Sequence, residues 1–566
     1  MPSFPDLPLR KPESKAQDGY VRLKDVYIPT RDGSVLCANV YLPTVDDQST
    51  KFPSLLSLGP YGKDVHFSDF GKPKTDMYAN MAKAIPLGPD ACFETPDPIV
   101  WTLEGAVEVR GSLTLLGWAD LLRLDETPKE KARLPLIVRY AYDMVEWAGT
   151  QEWSNGKVAL GGISYLGMAC YWTAMQQPPH LAAIVAYEAL TDVFGHTTRQ
   201  GGVFHSGFQK HWFNNIVVPQ QYGKLEGVDE ADLEKARFDF TGLESFWKWR
   251  SEGAWPVLDR YRDLQKVKVP LLSAGNWMDS EVHLPGNLVA FEDSASPRKF
   301  LEMHTGNHLA AYYAPEQLER QRTFLDYFLL DKKDNGLDKA PQIDLLIRKG
   351  AEGFYRSEPS WPPQDAEYVA AYLAAGDKLT FTPYSATSTD DAITFVGLTG
   401  STEFVTEPFQ SDLEVLGYPY LDLTVSTTAK DMDLFIYFYL ISAAGEKVVF
   451  RGNHDEPALS FLRSWFRLSS RALSDKSTAR RPILDQQAPA PVKAGEPYQV
   501  KVPIPPTSMI FEKGTRLAVA LRADDEETTI PPMRHVGPDR SEEVFGGTHR
   551  VLHGGKLVLP VVKRGS

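Results

Sequence analysis

Over roughly the first 185 residues, short apolar runs alternate with segments whose apolar positions recur at helical spacing. "FPSLLSLG" (Phe52 to Gly59), "GAVEVRGS" (Gly105 to Ser112), the run ending at Gly161-Gly162, and "LAAIVAYEA" read as buried strands. "YAYDMVEWAGTQEW" and the stretch after Ser164 read as helices, and "VYIPTRDGSVLCANVYLP" as a hairpin turning at Asp32-Gly33. Strands alternating with helices predict a parallel sheet covered on both faces, an α/β fold.

From Leu190 to Leu264 the chain is rich in Trp, Phe, His and Gln with no clear strand, which predicts a mostly helical insertion. "VPLLSAGNWMDS" and "RKFLEMHTGNH" resume the strand-then-loop pattern, and "QLERQRTFLDYFLL" is an amphipathic helix. Beyond Pro341 helical spacing nearly vanishes. Period-two alternation takes over, with Leu421, Leu423 and Val425 on one face, and "YQVKVPIPP", "TRLAVALRA" and "GGKLVLPVV" continue it, which predicts a jelly roll or sandwich. The expected division is residues 1–189 and 265–340 for the α/β domain, 190–264 for a helical cap, and 341–566 for the all-β domain.

A chain of 566 residues is too long for one ordinary core, which agrees with this division. A net charge of −14 excludes the basic surface that nucleic acid requires. The longest apolar run, "LFIYFYL" from Leu434 to Leu440, is far short of a membrane span and reads as a buried strand. Three scattered cysteines and an N-terminus without an apolar leader pattern make a reducing, cytoplasmic setting the expectation.

The run Lys157 to Trp172, "KVALGGISYLGMACYW", places one serine on a glycine-tight turn between a strand and a helix. It has no lysine for a phosphate loop, and its glycines miss the dinucleotide spacing. It also departs from the nucleophile-elbow pattern Gly-x-Ser-x-Gly, since Leu166 holds the second glycine's place and Gly167 follows one later. The turn alone leaves an activated serine and a structural connection both open. Chain order favours the first: after the insertion, one strand runs into Asp279 and the next into His308, each beyond a strand's carboxyl end. A serine hydroxyl needs a base, and the base needs an acid to fix its tautomer.

With these residues in view, the sequence resembles the cocaine esterase/NonD group of serine hydrolases, relatives of the Xaa-Pro dipeptidyl-peptidases and α-amino acid ester hydrolases. "EWAGTQEWSNGKVALGGISYLG", "GPYGK" (Gly59 to Lys63) and "EVRGS" carry the likeness in the first half. "AGEPYQVKVPIPPTSMIFEKGTRLAVAL" and "THRVLHGGKLVLPV" carry it in the last third. "GNWMD" and "HTGNH" are looser matches. The resemblance implies an α/β-hydrolase sheet with a helical cap, then a galactose-binding-like jelly roll. It implies Ser164 as nucleophile, His308 rather than His304 or His283 as base, and Asp279 as acid with Glu281 as fallback. The Tyr61 phenol and the Tyr165 backbone N–H are then expected to form the oxyanion hole.

Several residues have a plainer reading. His304 and His308 are four apart, but Gly306 and Asn307 spoil the helix a metal pair would use, so no metal and no cofactor are expected. His205 and His211 read as packing groups, Arg110 as a salt-bridged residue at a strand end, and Cys170 as a small buried hydrophobe. The leading function is cleavage of a carboxylic ester or related acyl bond of a small molecule through an acyl-enzyme, with no nucleic-acid or membrane partner and self-association left open. The alternatives are an acyltransferase or lactone-handling enzyme, an Xaa-Pro dipeptidyl-peptidase, which needs a carboxylate such as Glu188 for a free amine, and a binding protein that has lost activity.

Overall fold

The computed structural model describes residues 13–564 except 71–79, 113–135, 221–230, 232–262, 527–528, 536–539 and the single positions 18, 34, 48, 82, 84, 104, 389 and 488. Every residue of strand β4 (Phe52–Gly59) and of β8 (Leu271–Asn276) is buried, as the unbroken apolar runs require of strands covered on both faces. With β5 (Val107–Ser112), β6 (Ser154–Ile163), β7 (Leu181–Tyr187), β9 (Lys299–His304) and β10 (Ile343–Lys349) they form a parallel sheet in the order β5-β4-β6-β7-β8-β9-β10. The predicted hairpin, β2 (Tyr20–Pro29) with β3 (Val35–Pro43), joins antiparallel at the β5 edge, and β1 (Glu13–Gln17) pairs with β2. Among the described residues, the sheet is covered by α1 (Leu136–Gly149) on β4 and β6, α2 (Ser164–Ala174) on β4, β6 and β7, α4 (Leu284–Asp293) on β8 and β9, and α5 (Pro315–Leu329) on β6 and β7. The crossover at β5-β4-β6 is the strand order of an α/β-hydrolase. It gathers the carboxyl ends of β4, β6, β8 and β9 along one rim.

Much of the expected cap, 221–230 and 232–262, lies outside the described residues. The part that is described is less helical than its composition predicts. Helix α3 (Ser206–Trp212) is preceded by a two-stranded hairpin, Arg199–Gln200 with Val203–Phe204. At its tip a Cβ on Gly201 would stand 1.8 Å from the Trp465 carbonyl oxygen, so only glycine lets this turn press against the β domain.

The C-terminal part is an antiparallel β sandwich. Leu421, Leu423 and Val425 are buried, as their alternation predicts, while Asp422 and Thr424 are partly exposed. The "LFIYFYL" strand, Asp433–Ile441, is central in its sheet, between Ser460–Arg467 and Arg516–Arg522, and is covered on both faces: Leu434, Ile436, Phe438 and Leu440 join the β-domain core, while Phe435, Tyr437 and Tyr439 cluster with Val203. The β-domain core also takes in Trp277, Leu284 and Leu288 from the α/β half, and the Trp277 indole N–H donates to the Leu346 carbonyl. The loop after β8 is thereby clamped between two cores, which bears directly on what that loop carries. Among the described residues, no helix is long and apolar enough to cross a membrane.

Candidate active site

Strand β6 ends at Ile163 and α2 begins at Ser164, whose φ of +55° lies in the left-handed region. A non-glycine residue there carries strain of about 1–3 kcal/mol, held only by its surroundings. Two glycines make the turn possible. A Cβ on Gly162 would come within 2.5 Å of Leu166 Cβ, and one on Gly167 within 2.8 Å of Ala189 Cβ and 2.9 Å of the Tyr187 carbonyl. The displaced second glycine now has a reason. The close approach of α2 to β7 falls at position 167, whereas Leu166 is buried against Gly59, where a Cβ would meet its Cδ1 at 2.8 Å.

The hydroxyl does not meet His308. Ser164 Oγ lies 2.9 Å from His283 Nε2, and His283 Nδ1 lies 2.5 Å from Asp279 Oδ2. The expected histidine is therefore corrected. His283 follows Asp279 by four residues, and the turn closed by the Leu284 N–H on the Asp279 carbonyl folds the imidazole back onto the carboxylate. Asp279 Oδ1 accepts the backbone N–H groups of Val282 and His283. Burial pushes the Asp279 carboxyl up, but the charge of His283 and its hydrogen bond outweigh this and hold it well below the usual range. Glu281, the fallback acid, is turned away into a buried ion pair with Arg463.

His308 lies beside this chain, its ring stacked on His283 at 4.9 Å between centroids and 14° between planes. Its two nitrogens are taken by carboxylates: Nδ1 by Glu188 Oε2 at 2.7 Å and Nε2 by Glu94 Oε1 at 3.3 Å. The network continues inward, with His304 Nε2 on Glu188 Oε1 at 2.8 Å and His304 Nδ1 on Glu302 Oε2 at 2.8 Å. Tyr355, partly exposed, donates to Glu302 Oε1 at 2.6 Å. Burial opposes the charged form of both imidazoles. The carboxylates prevail, raising His308 well above its ordinary range and His304 to about 10. Burial alone would raise Glu188, but the two imidazoles hold it down. Its oxygens face His304 and His308 rather than standing free for a substrate amine.

Glu94 was not singled out by the sequence, where it is an ordinary acidic residue in "CFETPD". Its φ of +62°, full burial and position on the cavity wall become visible only in three dimensions. Its carbonyl accepts the Ile163 N–H, tying it to the serine turn, and among the described residues its Oε2 meets no hydrogen-bond partner. Burial raises its carboxyl against the opposing pull of His308. Arg110, beneath this loop, donates to the carbonyls of Asp90 and Pro96 and pairs with buried Glu108, the salt-bridged role its position implies.

Ser164, His283 and His308 share the lining of one small pocket with Glu94. Tyr61 borders it, at the loop after β4, with its hydroxyl accepting from Trp212 Nε1 at 3.3 Å. Tyr165 follows the serine in the first turn of α2, and its ring stacks on Trp212. Phe93 and Phe208 add aromatic surface, while Asn453 and His454 bring the β domain to the wall. The Asn453 carbonyl accepts the His308 backbone N–H at 2.8 Å, and burial lowers His454 to about 4. His205 packs against His535 at 4.3 Å, and Cys170 is buried in α2, both as expected.

Known proteins resemble this chain in sequence and fold. Residues 138–310, which hold Ser164, Asp279, His283 and His308, match the family model for X-Pro dipeptidyl-peptidase (S15 family). Residues 335–558 match the X-Pro dipeptidyl-peptidase C-terminal non-catalytic domain. A cocaine esterase of Rhodococcus sp. is 21% identical over 75% of this chain and 84% of its own length. An Xaa-Pro dipeptidyl-peptidase of Lacticaseibacillus paracasei is 21% identical over 68% of this chain, a match that spans 53% of that longer protein. The crystal structure of a CocE/NonD family hydrolase from Staphylococcus aureus superposes with a TM-score of 0.79 at 26% identity, covering 97% of this chain and 96% of that one.

Proposed function

For a chain that is a serine hydrolase built like the X-Pro dipeptidyl-peptidases and the CocE/NonD hydrolases, we propose hydrolysis of a small-molecule carboxylic ester through an acyl-enzyme on Ser164. His283 is the base and Asp279 the residue that orients it. The observation that carries this reading is the continuous hydrogen-bonded line Ser164–His283–Asp279 at the rim of the sheet. Asp279 holds the proton on His283 Nδ1, which leaves Nε2 as the lone pair facing the hydroxyl. As Ser164 Oγ attacks the carbonyl carbon, Nε2 takes its proton and then delivers it to the leaving alcohol. A water repeats the sequence in reverse to free the acid. The Tyr61 hydroxyl and the Tyr165 backbone N–H serve the oxyanion, a role in which one donor is worth about 3 kcal/mol.

The aromatic wall fits an apolar acyl or alkoxy group. Occupation of Glu188 by His304 and His308 supports an ester over a peptide with a free amine, because it removes the carboxylate the sequence offered for that amine. A fluorophosphonate probe and a panel of esters, thioesters, lactones and proline amides test the reading together. The wild type is expected to take up one probe per chain and to turn over esters fastest, and Ser164→Ala to do neither. Labelling of Ser164→Ala at the wild-type rate would remove Ser164 from the role.

A further inference from the structure

A serine triad by itself offers a metal ion only one imidazole and one carboxylate. This site offers two of each. Glu188, Asp279, His283 and His308 each present one ligand atom, all four atoms lie within 4.8 Å of one another, and all four residues are buried. A tetrahedral zinc ion needs its ligands roughly 3.3 Å apart, given bonds of about 2.0–2.2 Å. The separations between inward-facing atoms bracket that value: 2.5 Å from His283 Nδ1 to Asp279 Oδ2, 2.7 Å from His308 Nδ1 to Glu188 Oε2, and 3.9 Å from His308 Nδ1 to Asp279 Oδ2.

We propose that these four side chains form an inhibitory site for a zinc-type divalent cation, one that switches the hydrolase off by seizing the triad from behind. The outer partners of the ligands are already in place. His308 keeps its Nε2 on Glu94, Glu188 keeps Oε1 on His304, and Asp279 keeps Oδ1 on the backbone of Val282 and His283. Such second-shell bonds fix the orientation of metal ligands and sustain their affinity. Two carboxylates and two imidazoles balance the charge of the ion. That donor set suits zinc and its transition-metal neighbours and is wrong for magnesium or calcium, which take oxygen ligands.

The step is a proton exchange. The cation takes the place of the proton on His308 Nδ1, which goes to solvent while Nε2 keeps its own on Glu94, and of the proton on His283 Nδ1, which moves to Nε2 of the same ring; it forms four coordinate bonds. Zinc on His283 Nδ1 thus holds that ring's one proton on Nε2. That nitrogen then points a hydrogen at Ser164 Oγ and can no longer accept one. The loss of activity follows from the function proposed for Ser164 and His283; the binding does not depend on it.

The binding test uses full-length Ser164→Ala, which retains all four ligands. Titration with zinc by calorimetry, in buffers of different ionisation enthalpy, is expected to give one ion per chain and release of about one proton per ion. Cobalt(II) is expected to give the intense visible absorption of a four-coordinate site, and magnesium no binding. His308→Gln and Glu188→Gln are each expected to weaken zinc binding at least about tenfold, since even outer-shell losses cost that much. In the wild type, ester hydrolysis is expected to fall in step with zinc occupancy and to return on adding a chelator. Absence of a stoichiometric site in Ser164→Ala overturns the proposal while leaving the hydrolase reading intact. Zinc affinity unchanged in folded His308→Gln and Glu188→Gln also overturns it, since the ion then binds elsewhere. Zinc binding without any wild-type ester hydrolysis sinks the functional reading and not this one.

Discussion

The two sides of the active site are held by different forces. The serine side, from Ser154 through α2, is fixed by packing: Gly162 and Gly167 let β6, α2 and β7 approach within contact distances that a Cβ would violate, and the residues around them are apolar. The histidine side is fixed by charge. Asp279, His283, His308, Glu188, Glu94 and His304 are all buried and held by one another's hydrogen bonds. A packed turn fixes one atom in place and tolerates little change of volume. A charged network fixes orientation and protonation and tolerates little change of charge.

Breaking the charged side at its centre has the largest expected effect. Asp279→Asn keeps volume but offers an amide to His283, favouring the tautomer whose Nε2 carries the proton. A fall of about 10⁴ in kcat with little change in KM is expected, as in the serine protease template. Steady-state ester kinetics checks it, and a near-wild-type kcat would contradict the role given to Asp279. Tyr61→Phe removes one hydroxyl from the packed side without changing its volume. A donor that acts only on the developing oxyanion gives a kcat lower by roughly 10²–10³ and an unchanged KM. A neutral result would reduce Tyr61 to a packing residue against Phe70, Phe93 and Tyr165.

Gly167→Ala sharpens the contrast, because it adds volume and no charge. The new methyl meets the backbone oxygen of Tyr187, which cannot swing aside, so α2 must shift from β7. A loss of about 1–3 kcal/mol in folding stability is expected, read from denaturant unfolding, with activity reduced because the turn moves.

The smallest expected effect is a pH slope in stability. In the folded chain the His304 imidazole is held near 10, above its ordinary value of about 6.5, because Glu302 and Glu188 outweigh the burial that opposes its charge. Between those values the folded state binds a proton the unfolded state has lost, so stability falls as pH rises. The stabilisation is complete below about pH 6.5 and gone above about pH 10. His304→Gln should flatten the fall in melting temperature over this window, and an unchanged slope would remove His304 from the network's balance.

These differences also explain what was legible in the sequence. Apolar periodicity shows β4, β6, β8 and the period-two strands of the β domain because burial on a sheet writes itself into residue type. Turn glycines and chain order point to Ser164 and Asp279, which the structure joins through His283 in one hydrogen-bonded line. His283 was passed over for His308 because strand order says which loop reaches the rim and is silent on which of two nearby imidazoles meets the hydroxyl. The distinction lies in a four-residue turn that folds His283 onto Asp279, and in Glu188 and Glu94 drawing His308 aside. Glu94 carries no local signal at all, since its burial depends on elements far apart in the chain. The short hairpin before α3 was missed because two-residue strands leave no periodicity to read.

The most direct test is the rate at which a fluorophosphonate probe labels Ser164 in His283→Gln and in His308→Gln, measured side by side with the wild type. With His283 as the base, His283→Gln should label at least roughly a thousandfold more slowly, the scale set by loss of a triad member. His308→Gln should keep a labelling rate within about tenfold of wild type, since His308 does not touch the hydroxyl and acts only through its neighbours. Rapid labelling of His283→Gln together with a silent His308→Gln would contradict the assignment and return the proton to His308.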